Sequence, residues 1–173
     1  MSALLLAVCL TAAPEAPAAP VITSLAIEGD VRVDLVVGVG RGVEVLGGGV
    51  DVVGPADGRV RVTAPLRASG ARPTVRVQVA GPTLEVTVQR GAQLRDSAGR
   101  LESLTIEARH TSRVDVAALA VRSLVVTASE AARVRARGEQ VTLRAQRTAQ
   151  VTLAGKPKKL AQDVRDAARL TIE

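Results

Sequence analysis

Few residues in this chain could carry chemistry. His110 is the single histidine among 173 residues, and its neighbours are Arg109, Thr111 and Ser112. A histidine base needs a nucleophile to deprotonate and a third group to orient it. Nothing around His110 has that context, so it reads as a turn residue. Zinc sites take three or four His, Cys or carboxylate ligands, whereas this chain has one His and one Cys.

Glycine-rich stretches invite two further readings. Gly38-Val39-Gly40-Arg41-Gly42 has the look of a phosphate loop, but such a loop must open a helix whose N-terminus faces the anion. This one runs directly into Val43-Glu44-Val45, so it reads as a loop between strands. Gly47-Gly48-Gly49-Val50-Asp51 and Pro55-Ala56-Asp57-Gly58 echo calcium-binding solenoid repeats, yet those stack many copies and these do not recur. Paired carboxylates could serve an enzyme of the polysaccharide-lyase type. Asp96, Glu102, Glu107, Asp115 and Glu130 are spread too evenly to nominate a pair. No catalytic, cofactor-binding or metal-binding residue is nominated, and the chain is expected not to be an enzyme.

The elements that would position any site leave their mark in composition. There is no Phe, Tyr or Trp, so core volume must come from Val, Leu and Ile, which suits a narrow interior of stacked aliphatic side chains. The missing rings also argue against single-stranded nucleic-acid binding, which relies on aromatic stacking. Lys+Arg number 23 against 17 Asp+Glu, for a formal charge of +6. Only Lys156, Lys158 and Lys159 are lysines. The arginines are scattered and interleaved with acids, as on a solvated outer face, and no basic block marks a nucleic-acid arm.

Residues 1–18 read as a signal peptide. Ala3 to Leu10 are apolar, Ala16-Pro17-Ala18 offers an A-x-A cleavage site, and the positive n-region is absent. Cys9 follows Leu6-Ala7-Val8 in a sequence like a lipoprotein box; it reads as an ordinary leader residue, with lipid anchoring as the alternative. Thr11 to Pro20 is a stiff Ala/Pro linker. No segment approaches the ~20 apolar residues of a membrane-spanning helix. An extracytoplasmic location (periplasm, cell surface or medium) is expected for a single domain over 19–173.

That domain is repetitive. Two aliphatic residues flanking one outward residue recur as Val43-Glu44-Val45, Val50-Asp51-Val52, Val60-Arg61-Val62 and Val75-Arg76-Val77. The unit continues at Leu84, Leu104, Val114, Leu124, Val134, Val141, Val151 and Leu170. The first apolar positions fall at 84, 94, 104, 114, 124 and 134, with Leu94-Arg95-Asp96 the weak member because Asp96 stands where an aliphatic belongs. Alternation of period two means strand. Fixed spacing and a chain without Asn, hence without Asn-Gly hairpin turns, favour a right-handed parallel β-helix (solenoid) over a β-sandwich, each rung sitting on the last.

With two strands per rung, the repeat is about 20 residues. Leu84, Leu104, Leu124 and Val141 should then stack in one sheet and Val114, Val134 and Val151 in another, with a shorter turn near Gly138. Arg95, Asp115 and Arg135 should form a ladder of alternating charge, followed by Thr152.

These residues resemble the bacterial head GIN domain family, described as a "putative auto-transporter adhesin". Ser69-Gly70-Ala71 matches its turn, Gly91-Ala92 does so in part, and Val151-Thr152-Leu153-Ala154-Gly155-Lys156-Pro157 matches its closing strand and Gly-x-Pro. The resemblance covers roughly Val21 to Pro157; beyond it, Lys158–Arg169 reads as a short capping helix or loop. It implies a non-catalytic cell-envelope or surface adhesion module that brings no catalytic residues or cofactors. The ligand is unknown, with acidic polymers or envelope glycans suggested by charge. The alternatives are a polysaccharide-lyase-like β-helix enzyme and a purely structural envelope protein.

Overall fold

The computed structural model describes residues 20–38, 40–55, 57–66, 71–96 and 98–173. The leader at 1–18, Cys9, most of the Ala/Pro linker and the Ser69-Gly70 turn lie outside these residues. The described chain is all-β, with no helix. In chain order the strands are β1 (Ser24–Glu28), β2 (Arg32–Val37), β3 (Gly42–Val45), β4 (Asp51–Val53), β5 (Arg59–Thr63), β6 (Thr74–Val79), β7 (Thr83–Gln89) and β8 (Gln93–Asp96). They continue with β9 (Gly99–Ala108), β10 (Arg113–Val116), β11 (Leu119–Ala128), β12 (Arg133–Ala136), β13 (Gln140–Ala145), β14 (Gln150–Leu153), β15 (Lys159–Val164) and β16 (Arg169–Ile172).

Two eight-stranded sheets result, ordered β15-β13-β11-β9-β7-β1-β5-β4 and β16-β14-β12-β10-β8-β2-β6-β3. From β7 onward consecutive strands alternate between the sheets, so each pair makes a layer laid parallel on the one before. Leu84 pairs with Leu104, Leu104 with Leu124, and Leu124 with Val141. In the second sheet Leu94, Val114, Val134 and Val151 align in the same way. These are the two stacks that the spacing calls for. Inward side chains of the interior layers are buried; Leu104, Ile106 and Val126 are wholly enclosed. A parallel stack in register sets an aliphatic residue at nearly every inward place on successive layers, which explains how a core can form without a ring.

The shortened repeat also lies where the sequence places it. Between β12 and β13, Gly138 passes so close to Leu124 that an added Cβ would sit 2.8 Å from the leucine Cβ. Only a residue without a side chain lets the turn cut across there.

Three expectations are corrected. First, the layers do not all follow chain order. β1 lies between β5 and β7, and β2 between β6 and β8; Leu25 pairs with both Val60 and Val86. Second, the Val43 and Val50 units do not continue the parallel stack but lie at one edge of it, in the opposite direction. β3 runs antiparallel to β6 and β4 antiparallel to β5; the chain reverses between β2 and β3, where Gly38 and Gly40 have positive φ, and again between β4 and β5, where Gly54 and Gly58 do, so the strand pattern is mixed. Third, Lys158–Arg169 forms no capping helix. It enters β15 and the turn to β16, which add a further layer on β13 and β14. The Gly155-Lys156-Pro157 signature therefore precedes a layer instead of closing the fold. An exposed parallel edge supplies ready backbone partners, and that outweighs the weak helical spacing of Leu160, Val164 and Ala168.

Candidate functional site

The turns from the first sheet to the second stack as well. Arg90, His110, Glu130, Arg147 and Asp166 occupy equivalent corners, all in the left-handed region with φ between 55° and 63°. Behind them Ala92, Ser112, Ala132 and Ala149 are fully buried; a corner this tight admits only small side chains. His110 Nδ1 lies 2.8 Å from Glu130 Oε2, and Arg147 Nη1 lies 2.7 Å from Glu130 Oε1. His110 is thus a turn residue tied to its stacked neighbour. The Ser112 hydroxyl is buried and makes no hydrogen bond, so it is no partner for a histidine base.

The carboxylates are dispersed. Glu102 faces Arg122 at 3.4 Å and Glu107 is held by Arg109, both on the first sheet. Glu130 is at the corner, while Asp96 and Asp115 belong to the second sheet. Burial pushes the Asp96 carboxyl above the usual carboxylate range; the Leu119 N–H pulls it back, and the Asp115 charge raises it further. Among the described residues no group of three or more His, Cys, Asp or Glu could hold a metal ion. A groove of about 910 Å³ on the first sheet includes Asp57 and Glu85, and Asp57 is engaged by the Arg59 N–H at 3.2 Å.

The outer face of the second sheet is different: it carries two columns of polar side chains. In one, register partners run Glu44, Arg76, Asp34, Arg95, Asp115, Arg135, Thr152 and Thr171. Six successive strands alternate in sign. The segment Arg95, Asp115, Arg135, Thr152 is the expected ladder, and Glu44, Arg76 and Asp34 lengthen it. Among the described residues, direct ion pairs form only near its ends, Arg76 to Glu44 at 3.2 Å and Arg135 to Glu173 at 2.9 Å.

The second column runs Thr74, Arg32, Gln93, Arg113, Arg133, Gln150 and Arg169. It contains no acid. Arg113, Arg133 and Arg169 are exposed, and none pairs with a carboxylate among the described residues. A shallow groove of about 250 Å³ runs between this row and the ladder beside it. Taken together the two columns hold seven arginines and three acids, a net charge of +4. On the first sheet, by contrast, the column Ser24, Glu85, Thr105, Val125, Thr142 and Ala161 is almost neutral.

Arginine forks suit carboxylate, sulfate and phosphate groups. Adjacent strands lie ~4.8 Å apart, so the row presents cations along the stacking axis to an extended anion. Sequence reasoning passed over these residues although the signal was present: each stands just before the first aliphatic of its unit, and Gln93, Arg113 and Arg133 keep the twenty-residue interval.

No family model matches the chain, and no curated protein matches it. Among solved structures, the chain is similar to a "putative adhesin" from Bacteroides fragilis, with a TM-score of 0.50 and 6% identity over 90% of this chain and 94% of that one. At that identity the likeness is one of fold.

Proposed function

We propose that this chain is a non-catalytic adhesion or interaction module of the cell envelope or surface, exported from the cytoplasm, and that its second sheet binds acidic polymers. Its fold is a right-handed parallel β-helix of about twenty residues per rung, of the head GIN type. The fold likeness to a protein described as an adhesin supports the surface role. The row Arg113, Arg133 and Arg169, in register and without acids, carries the binding role. Like charges on neighbouring strands oppose one another, so a row kept free of acids beside a balanced ladder is best understood as matched to an anion.

The test is binding of a sulfated glycan and of polygalacturonate, with neutral dextran as control, from about 50 to about 500 mM salt. The expected result is salt-weakened binding of both polyanions, lost when Arg113, Arg133 and Arg169 all become glutamine. Binding indifferent to salt or to the triple substitution would overturn the assignment. Release of unsaturated sugar from polygalacturonate with calcium would favour the lyase reading instead.

A further inference from the structure

Among the described residues, β15 and β16 form an outermost layer that pairs on one side only. Inward positions that are sealed one layer below lie open on the last: Ile172 is 46% exposed where its register partner Leu153 is 1% exposed. Val164 is 37% exposed above Ala145 at 1%, and Leu160 and Leu170 are only half-buried. The backbone is open as well. Lys159 and Arg165 direct their N–H groups to β13, and Arg169 and Glu173 direct theirs to β14. Because the direction alternates along a strand, Leu160, Gln162, Leu170 and Ile172 turn their N–H and C=O groups outward. An exposed edge of this kind is a template for another strand.

Both edge strands are self-complementary. If β15 meets a second copy antiparallel and centred on Ala161, Leu160 and Gln162 face one another in pairs that exchange both backbone hydrogen bonds. Lys159 then lies opposite Asp163 of the copy, twice by symmetry. Shifting the centre to Gln162 sets Lys159 against Arg165 instead, so charge selects the register. If β16 meets its copy centred on Thr171, Leu170 faces Ile172 and Arg169 faces Glu173. One twofold axis can serve both strands. Ala161 lies four residues before Arg165 and Thr171 three after Ala168, the two ends of a turn closed by the Ala168 N–H to Arg165 C=O bond at 3.2 Å. At ~3.3 Å per residue the two centres stand nearly level across the stack.

We infer that the protein forms a head-to-head twofold dimer through its last layer, β15 and β16 each pairing with their own copies. Such a contact is isologous and closes on itself, extending each sheet to sixteen strands. Gln162 occupies an inward position, which tempers the apolar seal and keeps the association reversible.

Sedimentation velocity on the chain should show a concentration-dependent monomer–dimer equilibrium. Gln162→Pro removes only an outward N–H, which a strand edge tolerates; it should weaken the dimer about tenfold or more while leaving the monomer's circular dichroism unchanged. Lys159→Asp turns two attractive contacts into repulsive ones and should also weaken it about tenfold. Adding Asp163→Lys should restore it, because the swapped pair is again complementary. A monomer at roughly 0.2 mM, a dimer indifferent to Gln162→Pro, or a double variant no better than Lys159→Asp would each overturn the inference.

Discussion

Replacing Arg133 with glutamine should stabilise the fold slightly while loosening its hold on a polyanion. Arg133 is the register partner of Arg113 on one side and Gln150 on the other. Two unit charges ~5 Å apart in water repel by ~0.8 kcal/mol, and screening over a Debye length of ~8 Å roughly halves that. Side chains can also splay apart, so the variant should gain a few tenths of a kcal/mol. Binding moves the other way. With three arginines engaged and about 0.7 counterion released per contact, raising salt from about 50 to about 200 mM should cost the parent about twentyfold in affinity. With two arginines engaged the loss falls to about sevenfold. Titration of a sulfated glycan at both salt concentrations, beside a urea melt, measures both effects. A variant that is less stable than the parent, or that keeps the parent's salt slope, refutes the reasoning.

Other expectations concern the stack. Leu104→Ala, at a fully enclosed place between Leu84 and Leu124, should cost about 2–5 kcal/mol in urea unfolding, whereas Ile172→Ala on the open layer, measured at a dilution where the chain is monomeric, should cost under about 1 kcal/mol; equal losses would contradict the burial gradient. Ser112→Ala removes a buried hydroxyl without a partner and restores the alanine found at the neighbouring corners, so it should raise stability by about 1 kcal/mol. Asp96→Asn should raise the melting temperature at neutral pH and not at pH values below the ordinary carboxylate range. The folded protein raises this pKa through burial, with Asp115 adding to it, so any stability from Asp96 is present at low pH and lost as pH rises through the folded value. A gain that persists undiminished in acid would show that charge is not the cause.

Alternation of period two, repeated every twenty residues, was enough to read parallel strands, two sheets and the pairing of Leu84, Leu104 and Leu124. Each of those features depends on local spacing, which the chain displays openly. The ladder Arg95, Asp115, Arg135 follows from the same register. Gly138 was legible too, because a shortened interval must be taken up somewhere, and its close approach to Leu124 shows why a glycine stands there.

Tertiary structure alone decided which layer lies on which at the beginning of the stack. Leu25 meets Val60 and Val86, residues 35 and 61 positions away, and every aliphatic strand of this kind offers the same hydrogen-bonding edge to any other. Spacing cannot rank such edges; loop reach and the reversals between β2 and β3 and between β4 and β5 do. That order brings Asp34 between Arg76 and Arg95 and so completes the ladder. It also decided the last layer, where Lys159–Val164 became strand because β13 had backbone groups left to satisfy. Side-chain period is written in the chain, but the competition among equivalent edges is settled only when the whole stack is assembled.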